Sequence, residues 1–302
     1  MEISTIATAA ILIDLNISTW TGRKRDKKTS LEVMSNKQAG SDKAASVIKN
    51  LMSDDKELDA IKAYAQETRL YVARHTYPWG DGGARLLPSK LIFEVTAELD
   101  GRIQEFESMV EKFVADYSVK VNAAAFKLGT LFDRNEYPPV DTVRDKFKMR
   151  YIPSPVPTQG DFRVDVQNDV GEFLKTQFKQ EADARVTAMM REPWERIYEN
   201  LQHVKERMTA ALEYDADVHL PDGRRAPKLF QSLLDNALDL ANLMDKLNIT
   251  QDPQLSDCTA RMRRLFADKD IKSVRESKEV QATIKSQVDE ILSTFDFGGF
   301  EE

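Results

Sequence analysis

The densest chemistry in the chain is the run Arg23-Lys24-Arg25-Asp26-Lys27-Lys28, which places five cations in six positions shortly after Trp20. Concentrated positive charge favours a polyanion, because binding releases condensed counterions, and an indole beside it can stack on a base. Trp20, Arg23, Lys24, Arg25, Lys27 and Lys28 are therefore candidate nucleic-acid contacts on a compact basic turn. The bland reading of the same residues is a solvated turn, the ordinary fate of a charge run. A net charge of -7 argues against a globally basic nucleic-acid binder and leaves only a local footprint. Arg261, Arg263 and Arg264 form a weaker cluster that reads as an exposed helix face.

Two further features suggest recognition. The loop Trp79-Gly80-Asp81-Gly82-Gly83-Ala84-Arg85 has glycines and an arginine but neither the Gly-Lys-Ser/Thr of a phosphate-binding loop nor an apolar strand before it. It reads as an interhelical turn packed by Tyr77 and Trp79, with Trp79, Asp81 and Arg85 as candidate partner contacts. Beyond Ser293, the residues Phe295, Phe297 and Phe300 stand among acids and glycines. Such a tail either docks its aromatics into a partner's groove or folds back onto the core, and both readings stay open.

Reactive constellations are hard to assemble. His75, His203 and His219 are the only histidines, each without a second ligand at metal spacing. Cys258 stands alone, so no intrachain bridge or Cys-based zinc site can form and a reducing compartment is the simple reading. Glu94, Glu98, Glu105 and Glu111 look like a solvated helix face, and no Gly-X-Ser-X-Gly or Cys/His arrangement marks a nucleophile. The expectation is a protein that is not an enzyme and uses no cofactor or metal. The longest apolar stretch, Ile6 to Ile13, is far shorter than the ~20 residues of a membrane helix, and no basic region precedes it as in a signal peptide, so a cytoplasmic protein without a membrane partner is expected.

Periodicity supplies the elements that must position these residues. Ile11, Ile13, Leu15 and Ile17 alternate as in a strand. From Ser53, with Ser53 or Asp54 as cap, Leu58, Ile61, Ala65 and Val72 predict a helix stopping near Thr76 before Pro78. From Pro88 a long seam of Leu91, Val95, Leu99, Ile103, Phe106, Val110, Phe113, Tyr117, Val121, Ala124 and Leu128 predicts one continuous helix, mildly interrupted by Gly101 and ended by Gly129. Possible strands follow at Phe147 to Ile152 and Phe162 to Val166. Further helices follow: one through Val170, Phe173, Gln177 and Ala184 to Leu212, kinked or split at Pro193; one opened by Pro227; one capped by Asp252-Pro253; and a last one from Ile271 to Leu292. The fold class is mainly α, a long-helix bundle with a coiled-coil-like seam and a small antiparallel β appendage. Its divisions are 1–52 (strand and basic turn), 53–136 (helical hairpin), 137–166 (Pro-rich), 167–294 (helical bundle) and 295–302 (tail), together one compact domain.

Leu15-Asn16-Ile17-Ser18-Thr19-Trp20-Thr21-Gly22-Arg23-Lys24, Tyr77-Pro78-Trp79-Gly80-Asp81-Gly82-Gly83-Ala84-Arg85-Leu86-Leu87-Pro88 and Gly160-Asp161-Phe162-Arg163-Val164 resemble a family of bacteriophage, prophage and integrative-element proteins of unknown function. Leu131-Phe132-Asp133 with Tyr137-Pro138, and Leu247-Asn248-Ile249-Thr250-Gln251-Asp252-Pro253, fit the same pattern. The resemblance implies a bacterial host cell and a setting of MoxR-like AAA+ ATPases, von Willebrand-type chaperone partners and recombination proteins. It transfers no catalytic residue. The expectation that follows is a non-enzymatic scaffold or adaptor, self-associating through its apolar seam and engaging a protein partner, with an AAA+ ATPase as the implied class. The alternative is an accessory protein that binds nucleic acid through residues 23–28.

Overall fold

A computed structural model describes residues 3–41, 43–80, 83–157, 168–213 and 228–294. The chain is mainly α-helical and divides into two compact units, each assembled from separated stretches. The first comprises Met1–Ile13, His75–Ile92 and Pro153–Glu302; the second comprises Asp14–Arg74 and Phe93–Ile152.

In the first unit α1 (Ile3–Ala9) runs straight into β1 (Ala10–Ser18). The start of β1 pairs antiparallel with β5 (Arg85–Pro88), from Ala10↔Pro88 to Ile13↔Arg85, and β5 pairs with β4 (Tyr77–Pro78). The glycine loop therefore joins two strands of a hairpin and is not an interhelical turn. Its closing bond runs from Trp79 N–H to Ala84 O at 3.0 Å, and Gly80, at φ 93°, takes a left-handed backbone that a side chain would strain. Around this sheet stand α7 (Asn168–Glu213), α8 (Gln231–Leu247), α9 (Pro253–Phe266), α10 (Ile271–Glu276) and α11 (Lys278–Leu292). Tyr77 ties sheet to helix, its buried hydroxyl donating to Leu247 O at 2.9 Å.

Several expectations about these helices need correcting. Pro193 lies inside α7 without splitting it. The early buried stripe of α7 is Ala182, Val186 and Met189, whereas Phe173, Gln177 and Ala184 are exposed, a shift of phase that tertiary packing decides. The last helix is two helices, divided where Ser277 turns extended and caps α11 by accepting the Val280 N–H. Asp252 caps α9 as its position predicts, accepting from Gln254 N at 2.9 Å. The strand expected at Phe162 to Val166 lies outside the described residues.

The second unit is built on α3 (Lys56–His75), α4 (Ile92–Ala115) and α5 (Tyr117–Leu128). Asp55, not Ser53 or Asp54, caps α3 by accepting the Leu58 N–H at 2.9 Å. Leu58, Ile61 and Ala65 of α3 pack with Phe106, Val110 and Phe113 of α4 in one buried cluster. Each such large apolar side chain contributes about 1.5–3 kcal/mol on burial. The seam is broken between α4 and α5 at Asp116, and Gly129, at φ 52°, ends α5. Val95, Leu99, Phe106, Val110, Phe113, Tyr117, Val121 and Ala124 are all buried within a single chain. This stripe is covered by the protein's own core and is not an exposed seam. Among the described residues no helix is long and apolar enough to cross a membrane.

Candidate nucleic-acid interface

The basic run is not a turn. Arg23 to Asp26 form β2 (Arg23–Asp26), which pairs antiparallel with β3 (Val47–Asn50), and α2 (Lys27–Asn36) starts at the next residue. Gly22, at φ 64°, makes the entry possible: its carbonyl accepts the Leu51 N–H at 2.7 Å, and a Cβ there would meet Leu58 at 3.1 Å. The ribbon register is Arg23↔Asn50, Lys24↔Lys49, Arg25↔Ile48 and Asp26↔Val47. Alternation therefore puts Arg23 and Arg25 on one face beside Ile48, which is 63% exposed.

The other face carries Lys24 opposite Lys49, a like-charge pair that would destabilise a bare ribbon. Burial resolves the conflict. Lys49 Nζ lies 3.5 Å from Asp26 Oδ2 and 2.6 Å from Glu136 Oε2, and donates to Leu131 O at 2.7 Å. Burial pulls its pKa down, but the hydrogen bond and charge of Glu136, then of Asp26, outweigh that and leave it above the usual lysine value. Asp26 is held below the usual carboxylate range, first by the Thr29 N–H, against the opposing effect of burial, and further by the Thr29 hydroxyl and Lys49. The same Asp26 caps α2, accepting from Thr29 N at 3.0 Å.

With Asp26 turned inward, Arg23, Lys24, Arg25, Lys27 and Lys28 are all exposed. Lys27 and Lys28 occupy the first turn of α2, which has no acidic residue, so their charges add to the positive end of the helix dipole at a small cost in stability. Residues 23–50 hold eight Lys/Arg against three Asp/Glu, a sign opposite to that of the whole chain. The arrangement is a cation-studded ribbon with a helix start beside it, suited to tracking a phosphate backbone.

Trp20 belongs elsewhere. It is 7% exposed, with its ring centroid 5.8 Å from Tyr117 and 6.4 Å from Phe113. The indole anchors the ribbon to the core and is not available to stack on a base. Trp79 is also buried, with the Arg185 guanidinium 5.8 Å from its ring. Arg85 is turned inward, donating from Nε to Thr76 Oγ1 at 2.6 Å and from Nη2 to Thr76 O at 3.1 Å. Neither is presented to a partner; both brace the hairpin. Asp81, Phe295, Phe297 and Phe300 lie outside the described residues.

Spacing gave no hint of Lys49 and Glu136, which reach the ribbon only through the tertiary fold. Reactive groups remain dispersed: among the described residues no three His, Cys, Asp or Glu side chains converge as a metal site would require. Burial, then the Asp257 charge, pushes the Cys258 thiol up to about 12. Native protein at pH near 8 should thus leave this thiol unreactive toward a disulfide reagent, with one thiol appearing on denaturation. Rapid titration of the folded chain would contradict that burial.

Fold and surface together define a mainly α protein of two units, one of which displays a basic antiparallel β-ribbon. The chain belongs to the family described as "Protein of unknown function (DUF3150)", whose model matches residues 8–213 and so includes the ribbon and its supporting core. No curated protein and no solved structure matches it.

Proposed function

We propose that this chain is a non-enzymatic binding protein that contacts the phosphate backbone of a nucleic acid through β2, the start of α2 and the facing strand β3. One observation carries the reading: five adjacent cations are exposed while the single acid among them, Asp26, is withdrawn into an ion pair with Lys49. Paired surface cations have little left to offer a ligand, whereas unneutralised ones release counterions on binding. The ribbon is small and its exposed side chains are mostly cationic, so backbone contact should dominate and base selectivity should be slight. Fluorescence anisotropy of a labelled duplex or single strand tests it; absence of measurable binding by the intact chain at low salt would dispose of the reading.

A second reading, an adaptor for a protein partner, draws support from α5. Val119 and Phe126 are 69% and 91% exposed and lie one heptad apart on the same helix face. For this reading the partner is an AAA+ ATPase of the MoxR-like class, in a phage or mobile-element setting, as the sequence resemblance implies. Phe126→Glu should reduce co-purification with such an ATPase about tenfold or more without altering the melting temperature. Equal recovery of the ATPase with the variant and the native chain would remove this face from consideration.

A further inference from the structure

Alternation along β2 and β3 gives the ribbon two faces, and the fold commits one of them. Lys49 is buried, and its ion pairs with Asp26 and Glu136 hold the face that carries Asp26, Val47 and Lys49 toward the core of the second unit. The opposite face, made of Arg23 across from Asn50 and Arg25 across from Ile48, is thereby turned outward, and all four residues are exposed. It presents two guanidiniums, one amide and one branched alkyl group. The alkyl group is the odd member: Ile48 is 63% exposed in the midst of cations and gains nothing from a phosphate. A base edge would suit both neutral residues, since an amide pairs with the hydrogen-bonding edge of adenine and an alkyl group packs on the methyl group of thymine.

The form of nucleic acid follows from what the ribbon lacks. Unpaired bases are held by stacking on aromatic side chains. Residues 21–50 include no Phe, Tyr or Trp, and the preceding Trp20 is buried. Bases that meet this face must therefore be stacked already, within a duplex. Two paired strands lie about 5 Å apart, and the major groove of B-form DNA is about 12 Å wide and about 8.5 Å deep, which admits a two-stranded ribbon. The minor groove is only about 6 Å wide. The major groove of A-form RNA is too deep and narrow for side chains to reach its base edges.

We propose, on the footing of the nucleic-acid reading above, that the ligand is duplex DNA and that β2 and β3 enter its major groove with Ile48 and Asn50 over the base edges. Arg23 and Arg25, the longer side chains of the same face, reach the phosphates along the groove walls, and Lys24, Lys27 and Lys28 add contacts at its rim. Four residues of strand span about 13 Å, the rise of about four base pairs, so the form of the nucleic acid is read more sharply than its sequence.

Binding of the full chain to one sequence in several forms, at a single salt concentration, tests the assignment. Duplex DNA should bind about tenfold or more tightly than duplex RNA or single-stranded DNA, although duplex RNA offers as many phosphates. A duplex whose cytosines carry glucosylated hydroxymethyl groups keeps its phosphates but has a filled major groove, and its affinity should fall about tenfold or more. Netropsin, which occupies the minor groove, should leave binding unchanged. Replacing Ile48 and Asn50 together with Ala should weaken duplex DNA about tenfold while leaving duplex RNA affinity and the salt slope as they were. Circular dichroism checks that this variant is folded, and the modified duplex tests the same point on the native chain. Equal affinity for every form, or for plain and glucosylated duplex, would overturn the groove assignment and leave the phosphate-backbone reading standing. Displacement by netropsin would do the same. Absence of binding to every form would remove both.

Discussion

A plot of log affinity for a labelled oligonucleotide against log salt concentration should be a straight line of slope about -4.5 for duplex DNA, if all five ribbon cations meet phosphates. The intact chain would then lose about 500-fold in affinity between about 50 and 200 mM salt. Replacing Arg23, Lys24, Arg25, Lys27 and Lys28 together with Gln should flatten the line toward zero and abolish binding at physiological salt. The variant should still fold, since all five side chains are exposed. Relieving the lysines at the positive end of α2 should, if anything, stabilise that helix by a few tenths of a kcal/mol. Trp20→Phe provides the complementary arm: the indole is a core group, so the substitution should lower stability and leave the salt slope alone. A quintuple variant with an unchanged slope would show that the nucleic acid sits on another surface.

The second large effect concerns Lys49. Its ammonium lies between Asp26 and Glu136 with a side chain only 6% exposed, and it satisfies the Leu131 carbonyl as well. Lys49→Met keeps the aliphatic volume but leaves two carboxylates and a carbonyl without their cation. The expected cost is about 2–3 kcal/mol, toward the lower end for a broken buried pair because both carboxylates retain some contact with water. That corresponds to a melting temperature lower by roughly 5 °C in a chain of this length. Lys49→Arg should recover part of the loss. Equal melting temperatures for Lys49→Met and the native chain would mean that the ion pair contributes nothing to holding the ribbon.

The pH dependence follows from two groups, Asp26 and Lys49. The Asp26 pKa is lowered in the fold, so its contribution is present above the ordinary carboxylate value and fades as pH falls through its folded pKa. The Lys49 pKa is raised, so its contribution is complete below the ordinary lysine value and fades as pH rises through its folded pKa. The lock is whole between those limits. In Lys49→Met, the alkaline loss tied to Lys49 should vanish and the acid loss tied to Asp26 should shrink.

The residues show why some of this was legible and some was not. The alternation of Ile11, Ile13 and Leu15 and the spacing from Leu58 to Val72 reflect local geometry, so strand and helix could be read from a single stretch. Asp252 before Pro253 is equally local, since a cap needs only its own first turn. The early phase of α7 was misread because Phe173 and Ala184 fit one helical stripe and Val186 and Met189 another, and only neighbouring elements choose between them. The basic run looked like a turn because alternation of charged residues carries no hydrophobic signature. Its partner strand Val47–Asn50 is equally short and polar.

By itself the sequence determined the helical character of the chain, the place of its charge and the absence of any spaced metal or nucleophile motif, because these depend on residue type and near neighbours. Tertiary structure decided which groups face outward. It buried Trp20 and Trp79, turned Arg85 toward Thr76 and drew Asp26 away from the cations beside it. It also covered the long apolar stripe with the protein's own core and set Ile48 and Asn50 beside Arg23 and Arg25. The physical reason is that burial and pairing are properties of places where separated segments meet. Whether a cation is neutralised or an aromatic ring is exposed depends on what the fold sets opposite it.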